Sequence, residues 1–115
     1  MGSSISVSLM SMIEEGVVFS FGYWTVKPGK EEIFLEKWQK FAQWTLNNLR
    51  GARWVYMVQD QEQKNKFISF GPWESPESID TWRQSPKFKS AFDEFRELCD
   101  EIQPGTMREV NHIKR

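Results

Sequence analysis

The sequence contains one cysteine and one histidine, and this scarcity removes several kinds of chemistry. A single cysteine forms no disulfide within the chain and no cysteine-based metal cluster, and it is typical of a protein in the reducing cytoplasm. No group of His, Cys, Asp and Glu residues has metal-ligand spacing, and no Ser, His and acid arrangement stands out. A glycine-rich phosphate loop after a predicted strand is also missing. The sequence therefore predicts no metal site.

The sequence also lacks a large net charge and long apolar runs. The net charge is −1, from 15 basic and 16 acidic residues that are interleaved along the chain. Without a basic stripe, nucleic-acid binding is not expected. No apolar run reaches the length of a membrane-spanning helix, so no membrane partner is expected either.

Aromatic residues, by contrast, are abundant: they make up 15% of the chain, with six Trp and nine Phe. Such a content indicates either aromatic packing or an aromatic-lined cavity. A length of 115 residues suits a single domain with one core. Residues 1–15 are Ser-rich and lack the basic start and apolar centre of a signal peptide, so we expect a flexible extension before one domain over residues 16–115. Met1, Met10 and Met12 are all candidates for the start site, and the sequence does not decide between them.

The order of predicted elements indicates an α+β fold. We expect strands at 17–26, 52–59, 66–73 and 106–113. Helices are expected at 31–49 and 76–84, followed by a long third helix from Pro86 to Ile102 that Pro104-Gly105 ends. This β-α-β-β-α-β order predicts a ferredoxin-like, four-stranded antiparallel sheet with the helices on one face.

The first predicted strand is apolar at both alternating positions. Val18, Trp24 and Val26 fall on one face, and residues 19, 21 and 23 on the other are Phe, Phe and Tyr. Helices cover only one face, and a bare apolar sheet face would be a large exposed patch. We therefore predict a homodimer that packs two sheets together.

Two Ser-Pro pairs, at 75–76 and 85–86, predict two successive helix starts, because serine caps a helix and proline suits its first position. Trp73 ends a strand just before the first pair, and Trp82 lies in the helix between them. This run from Trp-Glu-Ser through a helical Trp to Ser-Pro-Lys-Phe resembles the antibiotic biosynthesis monooxygenase (ABM) domains, over about residues 17–113.

The resemblance implies a dimeric α+β barrel and a cofactor-independent monooxygenase. Members of that family that act on polyketide anthrones use no metal or flavin, because the deprotonated substrate gives its own electrons to O₂. Related haem-degrading enzymes hold iron with a histidine on the last long helix, assisted by an asparagine on the first strand. Phe92 and Gly22 stand at those two positions, so the resemblance implies no haem and we expect no cofactor.

The predicted partner is a small apolar or aromatic molecule. We expect the residues that bind it to be Gly22, Trp24, Trp38, Trp82, Phe88 and Phe92. The candidates for catalysis are Trp82, Arg83, Tyr56 and His112, and Tyr23 is a further candidate base. Two of these candidates also have a structural explanation. Trp82 packs a short helix against the core, and a lone histidine such as His112 is usually a surface residue.

Two functions remain open at this point. The first is the cofactor-independent monooxygenase. The second is a non-catalytic dimeric α+β barrel that binds a small apolar metabolite, because one fold hosts many functions. A base within reach of a bound aromatic molecule would separate them.

Overall fold

The computed structural model describes residues 17–115, so the predicted extension at 1–15 lies outside the described residues. Four strands and three helices follow one another along the chain. Their order and bounds are β1 (Val18–Val26), α1 (Glu31–Asn48), β2 (Tyr56–Gln59), β3 (Lys66–Trp73), α2 (Pro76–Gln84), α3 (Pro86–Leu98) and β4 (Cys99–Arg108). Within these residues no helix has both the length and the apolar character needed to cross a membrane.

The strands form one sheet in the order β2-β3-β1-β4, with every neighbouring pair antiparallel. This confirms the predicted α+β fold. Because strand side chains alternate between faces, even-numbered residues of β1 point to one side of the sheet. Trp24 and Val26 pack there with Phe34 of α1 and Phe95 of α3, so the helices and the main core lie on that face.

The predicted double helix start is confirmed. Ser75 Oγ accepts a hydrogen bond from the backbone N–H of Ser78 at 3.2 Å, and Ser85 Oγ accepts one from Phe88 at 3.2 Å. Each serine caps a helix whose first residue is proline, which has no N–H to leave unpaired. The chain therefore breaks at Ser85 and turns α3 away from α2.

The predicted end of the third helix and the predicted bounds of the last strand are both wrong. The third helix stops at Leu98 instead of reaching Ile102, and β4 runs over Cys99–Arg108 instead of 106–113. Cys99 and Ile102 pack against the main core from a strand that pairs along β1, with Val26↔Cys99 and Trp24↔Ile102. Pro104 lies inside this strand because β4 is at the sheet edge, where a missing N–H breaks no ladder bond.

The strand predicted at 52–59 is only partly regular. Ala52 pairs with Trp73 and Tyr56 pairs with Phe70, so one more residue lies on the 52–56 side than on the β3 side. This extra residue is a bulge that interrupts the ladder, and regular β2 therefore begins at Tyr56.

The sheet face opposite the helices, here called the open face, carries aromatic and aliphatic side chains. Phe21 stacks on Phe70 at a ring-centroid distance of 5.6 Å, and Tyr56 lies beside Phe70 at 5.7 Å. Tyr56 is 59% exposed and Trp54, from the bulge, is 44% exposed. An apolar strip of this kind agrees with the alternation in the sequence.

Trp44 lies beside the buried face of α1, which consists of Phe34, Phe41 and Thr45, and its side chain is half-buried. Its ring stacks on Phe41 at 6.4 Å, and the Lys87 ammonium lies 5.9 Å from the ring centroid.

Candidate functional site

A cavity of about 60 Å³ lies between the helix-facing side of the sheet and all three helices. By volume it has room for about four water molecules. Its walls are mainly aromatic and aliphatic. The side chains and backbone that line it belong to Ser20, Phe21, Gly22, Trp24, Trp38, Phe41, Ala42, Thr45, Leu46, Ala52, Trp54, Val55, Ser69, Phe70, Gly71, Trp73, Trp82, Arg83, Phe88, Phe92, Ile102 and Pro104.

The floor of the cavity is a patch of four small residues on the two central strands. Ser20 pairs with Gly71, and Gly22 pairs with Ser69. All four share the helix-facing side because they lie two residues apart along each strand. Larger residues flank the patch, and the indole of Trp24 covers it at Gly22.

Two indole rings bound this patch. Trp24 Nε1 donates a hydrogen bond to Ser69 Oγ at 3.0 Å, and Trp73 Nε1 donates one to Ser20 Oγ at 2.9 Å. Each bond crosses between the strands. Both indoles are 4% exposed, so the serine hydroxyls satisfy N–H groups that water does not reach.

Both glycines of the floor are required by close neighbours. A Cβ at Gly22 would lie 2.7 Å from Trp24 Nε1 and 2.8 Å from Ser69 Oγ. At Gly71 a Cβ would collide with the backbone carbonyl oxygen of Trp54, in the bulge before β2. The missing side chain of Gly22 therefore makes room for the Trp24–Ser69 hydrogen bond.

The helical wall of the cavity is a set of rings in mutual contact. Phe88 stacks on Phe92 at 4.0 Å and meets Trp82 edge-on at 4.8 Å. Phe41 stacks on Trp82 at 5.8 Å and meets Phe92 edge-on at 6.3 Å. Phe41 and Phe88 each contact both Trp82 and Phe92. A planar aromatic ligand therefore fits between Trp82 and Phe92 only if the rings of Phe41 and Phe88 move.

Trp82 is fixed to α1 by its indole N–H, which donates to Thr45 Oγ1 at 3.0 Å. Thr45 is a buried polar residue in the middle of α1, where the periodicity places a core position. The bond thus joins α2 to α1 across the cavity.

Arg83 carries the charge at this cavity. Its Nη1 donates to Thr106 Oγ1 and its Nη2 donates to the carbonyl of Gly105, both at 2.7 Å. Its buried Nε has no hydrogen-bond partner among the described residues. Burial lowers the pKa of the Arg83 guanidinium, and the carboxylate of Asp80 opposes this shift. The group stays protonated at neutral pH, because an arginine begins from a very high pKa.

The family of the chain follows from a match between residues 18–94 and the model of the antibiotic biosynthesis monooxygenases. The chain belongs to this family. The matched region contains β1, both Trp-Ser hydrogen bonds, Arg83 and Phe92, so it covers most of the cavity. Among curated proteins, none matches the chain in sequence.

Solved structures share the ABM fold with this chain. SnoaB from Streptomyces nogalater, described as a cofactor-independent oxygenase and solved as a mutant, superposes with a TM-score of 0.78 at 14% identity, over 87% of this chain and 99% of SnoaB. A conserved protein from Methanosarcina mazei gives 0.75 at 21% identity, over 86% and 98% of the two chains. A Bordetella bronchiseptica protein assigned to the antibiotic biosynthesis monooxygenases gives 0.73 at 20% identity, over 84% and 99%. At these identities the likeness shows the fold.

The structure brings the six predicted binding residues together: Gly22, Trp24, Trp38, Trp82, Phe88 and Phe92 all line the cavity of this ABM domain. Of the candidates for catalysis, Trp82 and Arg83 line it too. The structure does not bring the others there. Tyr23 and Tyr56 lie on the open face, and His112 lies beyond β4, with its Nδ1 3.5 Å from a carboxylate oxygen of Glu109.

Sequence reasoning missed the polar residues of the cavity, which are Ser20, Thr45 and Ser69, and it did not place Trp73 or Phe41 there. A signal for the serines was present. The run Ser-Phe-Gly-x-Trp occurs at 20–24 and again at 69–73, in strands that the sequence predicts. Within the described residues, no group of three or more His, Cys, Asp or Glu side chains is arranged to hold a metal ion.

Proposed function

We propose that this ABM protein is a monooxygenase that acts on a small aromatic or polyketide-like compound without a cofactor, using the cavity beneath α1, α2 and α3. The observation that carries the proposal is the position of Arg83. It places a guanidinium with a buried, unpaired Nε–H at the edge of a cavity whose other described residues are aromatic, aliphatic or neutral polar. A cation in such surroundings favours the anionic form of a bound acidic carbon compound.

The chemistry proposed for Arg83 is stabilisation of charge. A substrate with an acidic CH₂ between aromatic rings loses a proton and becomes an enolate, which the guanidinium holds by a charge-assisted hydrogen bond. One electron pair of that carbon reduces O₂ to a carbon-bound hydroperoxide, and this hydroperoxide then loses water as the second C–H bond breaks. The overall change converts the CH₂ to a carbonyl group and O₂ to that carbonyl oxygen plus one water, so no external reductant enters.

The proton acceptor is not a carboxylate or imidazole of the cavity. None of the described lining residues is Asp, Glu, His or Tyr. We propose that the proton leaves to solvent and that Arg83 acts by lowering the pKa of the substrate, because arginine itself does not deprotonate in proteins. This assigns Arg83 the leading role among the four candidates and Trp82 a role in packing and binding.

Two residues support a reaction without haem. Phe92 is buried with its ring against Trp24, Phe88 and Phe95, and Gly22 carries no side chain. Neither supplies a nitrogen, oxygen or sulfur side-chain ligand to iron. Since Cys99 is a buried free thiol, the proposed location is a reducing compartment, the cytoplasm.

We also propose that the protein acts as a homodimer through its open face. Tyr56, Val58 and Met107 are each close to half exposed or more on this face. Burying the exposed half of such a side chain stabilises an interface by about 1 kcal/mol. Packing two such faces leaves each cavity on the outer, helix-covered side of its own sheet, so the reaction and the interface use opposite faces.

The test is oxygen consumption with dithranol, an anthrone with an acidic CH₂, measured over its uncatalysed autoxidation. Wild-type protein should accelerate uptake, and Arg83→Gln should lose about a hundredfold of that acceleration, the loss typical for one charge-stabilising donor. Arg83→Lys should retain part of it. Arg96→Gln is the matched control. Arg96 lies on α3, does not line the cavity, and forms an ion pair with Asp93 at 2.8 Å. Equal rates for wild type, Arg83→Gln and buffer would contradict the proposal.

A second function is favoured by one observation, the lack of an acid or base among the described lining residues. In that case the protein binds an aromatic metabolite without oxidising it. Dithranol separates the two functions when its binding and its oxygen uptake are both measured. Binding without accelerated oxygen uptake supports the non-catalytic binding protein.

A further inference from the structure

Two strands of the sheet carry the same five-residue pattern. Residues 20–24 are Ser-Phe-Gly-Tyr-Trp and residues 69–73 are Ser-Phe-Gly-Pro-Trp. The first lies in β1 and the second in β3, which are neighbours at the centre of the sheet.

The two copies face each other in antiparallel register. Phe21 pairs with Phe70 at the centre, and each serine pairs with the glycine of the other copy. A local two-fold axis through the Phe21–Phe70 pair therefore relates the copies, and it exchanges the Trp24–Ser69 hydrogen bond with the Trp73–Ser20 hydrogen bond. The serine, glycine and tryptophan of both copies line the cavity.

The hydrogen-bond inventory of the serines leaves one donor on each. A hydroxyl has one O–H to donate and two lone pairs to accept with. Ser20 Oγ and Ser69 Oγ each accept an indole N–H, and among the described residues neither hydroxyl has an acceptor for its own proton. Because an indole N–H only donates, it occupies an oxygen lone pair and leaves the O–H free.

We propose that Ser20 and Ser69 are a pair of ligand-binding donors, which recognise a planar molecule with a hydrogen-bond acceptor oxygen at each of two opposite ends. This inference rests on the proposed small-molecule cavity. The two serines are diagonal neighbours on adjacent strands, so their Cβ atoms lie somewhat less than about 7–8 Å apart. A ring that lies above the floor can accept a hydrogen bond of about 2.8 Å from each hydroxyl through oxygens at its two opposite ends. The cavity of about 60 Å³ is smaller than such a ring, so binding requires the rings of Phe41 and Phe88 to move.

The two ends differ in charge because Arg83 breaks the local symmetry. Thr106 pairs with Ser20 across β1 and β4, and its hydroxyl accepts from Arg83 Nη1. The Ser20 end therefore lies on the side of the cation, and Ser69 lies on the far side of the floor. The ligand oxygen that carries negative charge is bound at the Ser20 end, and a neutral carbonyl is bound at Ser69.

The experiment compares two probes of similar shape by NMR. Tetramethyl-p-benzoquinone has a carbonyl at each end, and its four methyl groups block addition of the Cys99 thiol, whereas tetramethylanisole has one oxygen. Titration of each probe is followed through the indole N–H signals of Trp24 and Trp73. Wild type should bind the quinone at least about fivefold more tightly than the anisole, because one hydrogen bond is worth about that factor.

The variants Ser20→Ala and Ser69→Ala should each weaken quinone binding about fivefold. Ser20→Thr and Ser69→Thr keep a hydroxyl and should bind more tightly than the alanine variants. Ser90→Ala, an exposed site on α3, is the matched control and should bind like wild type. If an alanine variant fails to fold, the preference of wild type for the quinone remains as the test.

Equal affinity of wild type for both probes, or alanine variants that bind the quinone like wild type, would overturn the role of the serines and leave the cavity in place. Failure of wild type to bind either probe would overturn both this inference and the proposed small-molecule site.

Discussion

The indole N–H of Trp24 reaches the hydroxyl of Ser69 across the backbone of Gly22, at 3.0 Å. The two nearest atoms to an added Cβ at Gly22 would be the two atoms of this bond. A core tryptophan, a buried serine and a glycine in two strands therefore depend on one another. Since all three also line the cavity, a substitution at any one of them changes both the core packing and the cavity wall.

Gly22→Ala should break this hydrogen bond and displace the Trp24 ring from the core. Overpacking and an unpaired buried N–H together should lower the free energy of unfolding by about 3 kcal/mol. Urea denaturation measures the change. Gly105→Ala is the matched control, since an added Cβ there meets no atom within 4 Å, and it should change stability by less than about 1 kcal/mol. Equal effects of the two substitutions would show that Gly22 is not sterically constrained.

The bond between Trp82 and Thr45 should appear as a coupling energy. Thr45→Val keeps the shape of the side chain and leaves the indole N–H unpaired, while Trp82→Phe removes the donor. In a double-mutant cycle measured by urea denaturation, the pair should show a coupling of about 1 kcal/mol. Additive effects would mean that the contact between α1 and α2 depends on ring packing alone.

Tyr56→Glu should dissociate the proposed dimer. Tyr56 lies on the open face and is 59% exposed, so a monomer would tolerate the change, whereas a dimer would bury an unpaired carboxylate. Light scattering should give twice 13.6 kDa for wild type and 13.6 kDa for the variant. Ile113→Glu, at a site that is 87% exposed and outside the sheet, should remain dimeric. A monomeric wild type would remove the proposed interface.

Cys99 should be unreactive in the native protein. Burial, with the nearby Asp100 carboxylate, raises the pKa of this thiol from 9.0 to about 11. A raised pKa means that the folded state holds the proton, so the stabilising effect is full below pH 9 and is lost as the pH rises towards 11. At pH 8, Ellman's reagent should label native protein about a hundredfold more slowly than unfolded chain, from the smaller thiolate fraction alone. Equal rates would show that Cys99 is accessible and ionised.

Elements whose signals are local could be predicted from the sequence without the structure. The Ser-Pro pairs at 75–76 and 85–86 mark both helix starts because a cap and its helix lie within four residues. Alternation in β1 indicated two apolar sheet faces, of which the helix-facing one carries the buried Val18, Trp24 and Val26. The six residues predicted to bind a ligand all line the same cavity. This could be predicted because the helix or strand that carries each residue determines which way its side chain faces.

Features that depend on partners distant in the chain required the tertiary structure. Cys99 and Ile102 fit the period of α3, but the segment instead pairs along β1 as the edge strand of the sheet, a contact with residues more than 70 positions earlier in the chain that helical periodicity does not encode. Arg83 and the serines acquired their positions in the same way, from Gly105, Trp24 and Trp73. A local pattern specifies which face a side chain takes, whereas the register between strands decides which hydroxyl meets which indole.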